Sequence, residues 1–252
     1  MIPIYADGRH YDRMYPENPE TARFWLSLAR DYGDPILELA CGTARKLLPL
    51  ATAGFDVCGI DTAEPMLKEA RRKAAEQAVN MSVEWGDIRS FDIGQRFPLI
   101  LLTTNTICHL TTIDDFEQMA ACVRKSLTPE GVFVVEVFVP DLNALVVPED
   151  ELKPFATYEE PDGTGRVELV YSSRYDPSTQ IKHNTLFRVG PHGDKSPVGE
   201  LPMRMYFPQE LDALFRYNGF RIAKFGDLHR SPFTNRSSMQ IFILSLANQK
   251  AG

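Results

Sequence analysis

The chain has 252 residues, 44% of them hydrophobic and 24% charged, with a formal net charge of −7. That length accommodates one α/β domain with an elaboration, whose core needs no covalent staples. The acidic balance argues against a nucleic-acid partner, because phosphate contacts are built from Lys and Arg clusters.

No apolar run approaches membrane-spanning length, and the opening "MIPIYADGRHYDRMY" lacks the basic-then-apolar order of a signal peptide. The four cysteines, Cys41, Cys58, Cys108 and Cys122, form no C-x-x-C pair and have no His at metal-ligand spacing. Reduced, mostly buried thiols in a cytoplasmic protein are expected, and no metal site.

Asn18-Pro19-Glu20 marks a helix start, with Ala22, Trp25, Leu26 and Ala29 at helical spacing and Gly33 closing it. Ile36–Ala40 is a short apolar run, expected as a buried strand. A helix follows over Arg45–Ala53, stopped by Gly54. Asp56–Ile60, Ser82–Trp85 and Leu99–Thr103 are further strands, with a helix over Pro65–Gln77 between the first two. Asp114–Ser126 is a helix capped by Asp114 or Asp115, and "GVFVVEVF" is a fifth strand. Apolar strands without alternation, separated by helices, imply a parallel sheet covered on both faces. From about residue 141 to 206 the character changes. Clusters of Pro, Gly and Asp separate the β-rich runs "RVELVYSSRY", "IKHNTLFRV" and "LPMRMYF", with "YDPSTQ" as a hairpin turn. This is an antiparallel insertion. A helix over Pro208–Tyr217 and two strands, "FRIAKFGD" and "SMQIFILSLA", finish the chain.

In an open parallel sheet, ligands bind beyond the carboxyl ends of the strands at the switch point of strand order. The first such turn here is "ELACGTARK". A dinucleotide fingerprint needs a third small residue at position 45, where Arg45 stands. The small residues fall instead at Ala40, Gly42 and Ala44, which leaves room for a ligand without a pyrophosphate. Asp61 ends the second strand, where a carboxylate can accept from two ribose hydroxyls. Asp87 follows the third strand and can accept from an adenine amine. Met66 and Ile88 can pack on the ring. Together these describe a nucleoside pocket. Tyr11 and Tyr15 lie one helical turn apart, and their aromatic faces could cover a ligand. Asn105 and His109 sit just past the fourth strand. In the insertion, Tyr171, Arg174, Arg204 and Tyr206 face either a substrate or solvent.

This constellation resembles the class I S-adenosylmethionine-dependent methyltransferases over nearly the whole chain. "ELACGTA" is similar to that family's E/D-x-G-x-G-x-G, with Ala at the first and third glycine positions. "GIDTAEPMLKEAR" resembles the ribose strand and its helix, and "WGDI" the adenine turn. "NTICHL" resembles the "N-S-x-x-H-L" of glycine N-methyltransferase-like and sugar N-methyltransferase-like members. "YADG" and "YDRMY" resemble their cofactor-covering N-terminal segment.

The resemblance implies a Rossmann-like, doubly wound, seven-stranded α/β sheet with its last strand antiparallel. Its expected divisions are a covering segment over 1–33, a core over 34–140 and 207–248, and an antiparallel β lid over 141–206. It implies S-adenosylmethionine held by Tyr11, Tyr15, Ala40, Gly42, Asp61, Thr62, Met66, Asp87, Ile88, Thr103 and Thr104. Asn105 and His109 would stand at the methyl-transfer point, with His109 as the candidate base. The expected activity is methyl transfer to N or O of a small-molecule acceptor lying between core and lid. The expected assembly is a monomer or a homodimer, since the lid has strand edges to pair. Two other readings are a protein that holds the cofactor without methylating, as a sensor, and an NAD-dependent oxidoreductase. Arg45 and the antiparallel ending argue against the second. A nucleic-acid methyltransferase is disfavoured by the charge and by "TTNTIC" in place of a base-flipping N-P-P-Y-type motif.

Overall fold

The computed structural model describes residues 2–16 and 19–247. The expected start at Asn18 lies outside them. After a 3₁₀ turn at Pro3–Tyr5 come α1 (Gly8–Met14), α2 (Pro19–Tyr32), β1 (Ile36–Leu39), α3 (Leu47–Thr52), β2 (Val57–Asp61), α4 (Glu64–Gln77), β3 (Ser82–Trp85) and β4 (Phe97–Leu102). A second 3₁₀ turn at Thr106–His109 leads to α5 (Ile113–Ser126), β5 (Leu127–Phe138) and α6 (Leu142–Leu145). The insertion holds β6 (Lys153–Glu159), β7 (Arg166–Asp176), β8 (Ile181–Val189) and β9 (Lys195–Arg204). The chain returns to the core with α7 (Pro208–Tyr217), β10 (Phe220–Phe225) and β11 (Met239–Leu246).

The main sheet has the order β3-β2-β1-β4-β5-β11-β10. β1 to β5 are parallel, and β11 runs antiparallel between β5 and β10. The strand interiors explain why alternation is missing. Leu37, Leu39, Ile100, Leu102, Phe133 and Val135 pack on one face with Phe116, Met119 and Phe215. Ile36, Leu99, Leu101, Val132 and Val134 pack on the other with Trp25, Leu28 and Leu67. With both faces covered, every position is apolar.

Several local expectations are corrected. The buried stripe of α2 is Phe24, Trp25, Leu28 and Ala29, with Ala22 and Leu26 only half-buried. α3 begins at Leu47 rather than Arg45, because residues 42–46 form turns with left-handed backbone at Gly42 and Ala44. α5 is capped by Thr112, whose Oγ1 accepts from the Asp115 N–H at 3.0 Å, and not by an aspartate. β5 starts four residues early, at Leu127, which pairs with Phe97.

The insertion is a four-stranded antiparallel sheet, β6-β7-β8-β9. β6 carries no apolar alternation that sequence reading detects. β9 ends at Arg204, so Met205–Phe207 leave the strand and enter the core. There Tyr206 is fully buried and its hydroxyl donates to the Leu110 carbonyl at 2.5 Å. Arg204 is buried; its Nη2 donates to Glu210 Oε1 of α7 at 2.7 Å and its Nη1 to the Thr111 carbonyl at 3.3 Å. These two residues are therefore hinge-side anchors between the sheets rather than substrate-facing groups. Among the described residues, no helix is long and apolar enough to cross a membrane, and no His, Cys, Asp and Glu group could hold a metal ion.

Candidate active site

A cavity of about 960 Å³ lies over the carboxyl ends of β1, β2, β3 and β4, roofed by the N-terminal segment and by β9. Its floor begins with the turn after β1. Ala40, Gly42 and Ala44 all have left-handed backbone, with φ of 51°, 55° and 60°. The alternation of small residues is thus an alternation of left-handed positions, and each Ala there is strained by about 1–2 kcal/mol. A Cβ at Gly42 would come within 3.3 Å of the Met66 Cε. Ala44 is fully buried with Leu47 and Trp25 in the core, and its methyl group is not on the cavity wall.

Asp61 holds this turn. Its Oδ2 accepts from the Gly42 N–H at 2.8 Å and its Oδ1 from the Ala63 N–H at 2.8 Å. Burial pushes its carboxyl pKa up, opposed by these backbone donors. Each oxygen uses one acceptor direction and keeps another for a ligand.

Beside it stands a group that sequence reading did not single out. Glu38, in the middle of β1, is 2% exposed. Its Oε1 accepts from Thr103 Oγ1 at 3.1 Å, while Oε2 is buried with no partner among the described residues. Burial raises its pKa to about 8, against the opposing pull of Lys46 and Thr103. A buried carboxyl oxygen facing a cavity is satisfied by a donor arriving with a ligand.

The turn after β4 is also strained. Thr104 and Asn105 are both left-handed, with φ of 55° and 61°. A β-branched residue rarely adopts that region. Glu136 of β5 holds the pair, its Oε2 accepting from the Thr104 N–H at 3.1 Å and its carbonyl from the Asn105 N–H at 3.3 Å. Asn105 Oδ1 in turn accepts from the Phe138 N–H at 2.8 Å.

The roof is aromatic. Tyr5, Tyr11 and Tyr15 form a ladder, with ring centroids 5.7 and 4.9 Å apart. The Arg45 guanidinium lies 5.1 Å over Tyr11 and donates to the Tyr15 carbonyl at 2.5 Å. Tyr5 Oη is 2.8 Å from His109 Nε2. Burial holds the His109 imidazole below its ordinary pKa; the Pro202 carbonyl pulls the other way without meeting hydrogen-bond geometry. Two close approaches seat the roof. Pro3 lies where a Cβ on Gly199 would be 2.4 Å from its Cγ, and Gly8 lies 2.5 Å, by the same construction, from the Glu69 Cβ. Asp12 of α1 accepts from Thr43 at 2.5 Å and pairs with Lys73 of α4 at 2.6 Å.

The cavity wall therefore brings together Tyr11, Ala40, Gly42, Asp61, Thr62, Met66, Asp87, Ile88, Thr103, Thr104 and His109. Tyr15 and Asn105 are not on it. Tyr15 supports Tyr11 and Arg45 from behind, and Asn105 pins the end of β5. Asp87 is held by Arg89 at 2.6 Å, which also lowers its pKa. Wall residues that sequence reading did not select are Glu38, Arg45, Tyr5 and, from β9, Val198, Gly199 and Glu200. Glu38 was detectable as the lone charge in an apolar strand. The β9 residues carry no local signal.

This strand order, with an antiparallel β11 and a ligand cavity at the switch point, is the class I S-adenosylmethionine-dependent methyltransferase fold. Residues 36–131 match the family model described as a methyltransferase domain. The dTDP-4-amino-2,3,4,6-tetradeoxy-D-glucose N,N-dimethyltransferase of Saccharopolyspora spinosa is 31% identical over 101 residues, 40% of this chain and 39% of that one. The dTDP-3-amino-3,4,6-trideoxy-alpha-D-glucopyranose N,N-dimethyltransferase of Streptomyces venezuelae is 29% identical over 101 residues, 40% of this chain and 41% of its own. The chain thus spans about two-fifths of the length of these curated relatives. The solved structure of the CcbJ methyltransferase from Streptomyces caelestis superposes with a TM-score of 0.81 at 24% identity, covering 97% of this chain and 98% of that one. An S-adenosylmethionine-dependent methyltransferase from Clostridium acetobutylicum gives 0.76 at 16% identity, covering 94% and 96%. At these identities the structures share the fold.

Proposed function

We propose that the protein transfers the methyl group of S-adenosylmethionine to an amine of a small-molecule acceptor. The observation that carries this is the pair of buried carboxyls, Glu38 and Asp61, opening onto one cavity at the switch point with acceptor capacity unspent. Two hydroxyls and an ammonium are the donors such a pair is built to receive. Asp61 would take the ribose, Glu38 the ammonium, and Met66 and Ile88 the adenine faces. When bound, S-adenosylmethionine supplies an electrophilic methyl on a sulfonium.

The chain's own residues then have limited work. Tyr5 and Tyr11 exclude water and present aromatic faces to a cation. The strained Thr104–Asn105 turn fixes the Thr103–Thr104 wall where the acceptor approaches. An amine must lose a proton to be methylated and remain neutral. His109, kept neutral by its depressed pKa, can take that proton at Nε2 through the Tyr5 hydroxyl, which passes its own proton to the ring as it accepts the one from the amine. The names of the relatives support nitrogen as the acceptor atom.

The test is calorimetric titration with S-adenosylmethionine, S-adenosylhomocysteine and NAD, repeated on Asp61→Asn. Micromolar binding of the first two, weakened at least tenfold in the variant, is expected. Binding of NAD alone would overturn the reading and restore the oxidoreductase alternative. Tight cofactor binding without methyl transfer to any amine in a broad panel would leave a cofactor-holding protein.

A further inference from the structure

The charges on the cavity wall bear on what the acceptor is, granted the methyl-transfer reading above. Among the described residues the wall carries three permanent cations: Arg45, Lys46 and Arg89. Arg45 and Arg89 are taken up by hydrogen bonds and ion pairs, and Lys46 stands at the cofactor end, where its charge acts on Glu38. Arg45 bonds the Tyr15 carbonyl and lies on Tyr11. Lys46 lies 5.7 Å over the Trp25 ring. Arg89 is shared between Asp87 at 2.6 Å and Asp115 at 2.8 Å. Of the wall's carboxylates, Glu38 and Asp61 belong to the cofactor end and Asp87 is paired. The fourth, Glu200, projects from β9 beside Val198 and Gly199, is exposed, and has no ion-pair partner among the described residues.

We infer that the acceptor is a phosphate-free, cationic amine compound, such as an amino glycoside, read by Glu200, and that nucleoside-diphosphate-linked amino sugars are rejected. A diphosphate entering beside β9 would lose water without gaining a free cation among the described residues there, since Lys46 lies at the cofactor end, and would meet the Glu200 carboxylate. A polyamine meets the opposite situation: one amino group reacts in its neutral form near His109 while another, still charged, pairs with Glu200. Two lid lysines have no ion pair among the described residues, Lys182, which stacks 5.5 Å over Tyr171, and Lys195, and neither is on the cavity wall. Specificity of this kind comes from the repulsive element as much as the attractive one.

The experiment titrates the protein saturated with S-adenosylhomocysteine. The probes are kanamycin, as a free amino glycoside, and a dTDP-linked amino sugar, each against wild type, Glu200→Gln and Glu200→Lys. Wild type should bind kanamycin at least tenfold more tightly than the nucleotide sugar. Glu200→Gln should weaken kanamycin by about threefold, the scale of an exposed ion pair. Glu200→Lys should narrow or reverse the preference, with the S-adenosylhomocysteine affinity unchanged in both variants. Equal or tighter binding of the nucleotide sugar by wild type overturns the inference, as does a preference untouched by either variant, or no binding of either probe. Failure of the protein to take up S-adenosylhomocysteine sinks the methyl-transfer reading instead, and is seen before any acceptor is added.

Discussion

The parallel core and the lid are both β structure, yet they are stabilised differently. In the core, Leu37, Ile100 and Phe133 on one face and Ile36, Leu99 and Val134 on the other are all fully buried. In the lid, β7 and β8 bury Val167, Leu169, Asn184 and Leu186 while their neighbours stay half-buried or exposed. The core is held by hydrophobic burial on two faces. The lid is held on one face, largely by the N-terminal segment through Ile4, which packs on Leu186 and Leu201. Core geometry is therefore over-determined and lid geometry conditional. The cavity lies at their junction, with rigid carboxyls below and a roof that depends on a few close approaches above.

The largest expected effect comes from the rigid side. Glu38→Gln removes a buried carboxyl that stays protonated up to about pH 8 and whose charged form a ligand's ammonium would stabilise. Loss of a charge-assisted pair in a dry site should weaken S-adenosylmethionine by roughly a hundredfold, read by calorimetry. The same substitution should stabilise the ligand-free protein. The carboxyl's pKa of about 8 lies above its unfolded value of 4.5, so the folded state binds the extra proton. Wild-type stability therefore falls as pH rises from about 4.5 to about 8, and the variant lacks that fall. The gap at pH 8 should be on the order of a few kcal/mol by thermal or urea unfolding. A variant that loses both affinity and stability would show Glu38 to be a structural group.

Next comes the junction itself. Tyr5→Phe leaves the aromatic ladder but removes the hydroxyl 2.8 Å from His109 Nε2. We expect kcat to fall by about tenfold to a hundredfold with cofactor affinity nearly unchanged. Wild-type kcat/KM should decline on acidification only below the ordinary histidine range, because burial lowers the His109 pKa and the protonated ring cannot accept. An identical pH profile in His109→Gln would remove His109 from the reaction.

A smaller effect is expected from the conditional side. Gly199→Ala places a Cβ 2.4 Å from the Pro3 Cγ, at a backbone φ of 144° that side chains rarely adopt. The roof should detach at a cost of about 1–3 kcal/mol, seen as faster proteolysis near the N-terminus and weaker cofactor binding. The unfolding of the core should keep its midpoint within a few degrees. Equal loss in roof and core would mean the two regions are one cooperative unit.

The same contrast explains what the sequence made legible. Apolar runs, caps and Gly stops mark elements whose stability is local or buried on two faces, and they located β1, β2, β3, β4, β11 and the helices α2 to α5 and α7, but not the short α6. The strand-end residues Asp61 and Asp87 were readable because position along a parallel sheet fixes what they face. β6 and the start of β9 were not, since one-faced strands packed on a distant N-terminal segment carry no continuous apolar run. Glu200 and Gly199 reach the cavity only through the way the lid folds back, and no spacing rule connects residue 199 with Pro3. Tyr15 and Asn105 illustrate the opposite error. Both lie near the site in sequence, but their bonds to Arg45 and to the Phe138 N–H turn them into supports.

The smallest effect tests whether the strained turn serves the cavity or the core. Ala44 has φ of 60°, costing about 1–2 kcal/mol relative to a right-handed residue. Ala44→Gly relieves that strain. It also removes a fully buried methyl group, which contributes about 0.8 kcal/mol, and adds backbone freedom to the unfolded chain worth about 0.5–1 kcal/mol. These terms nearly cancel, so the unfolding free energy should shift by less than about 1 kcal/mol in either direction. Cofactor affinity should not change at all, because Ala44 is buried in the core cluster and is not on the cavity wall. A gain in affinity would mean that the methyl crowds the ligand, and that the turn after β1 moves on binding.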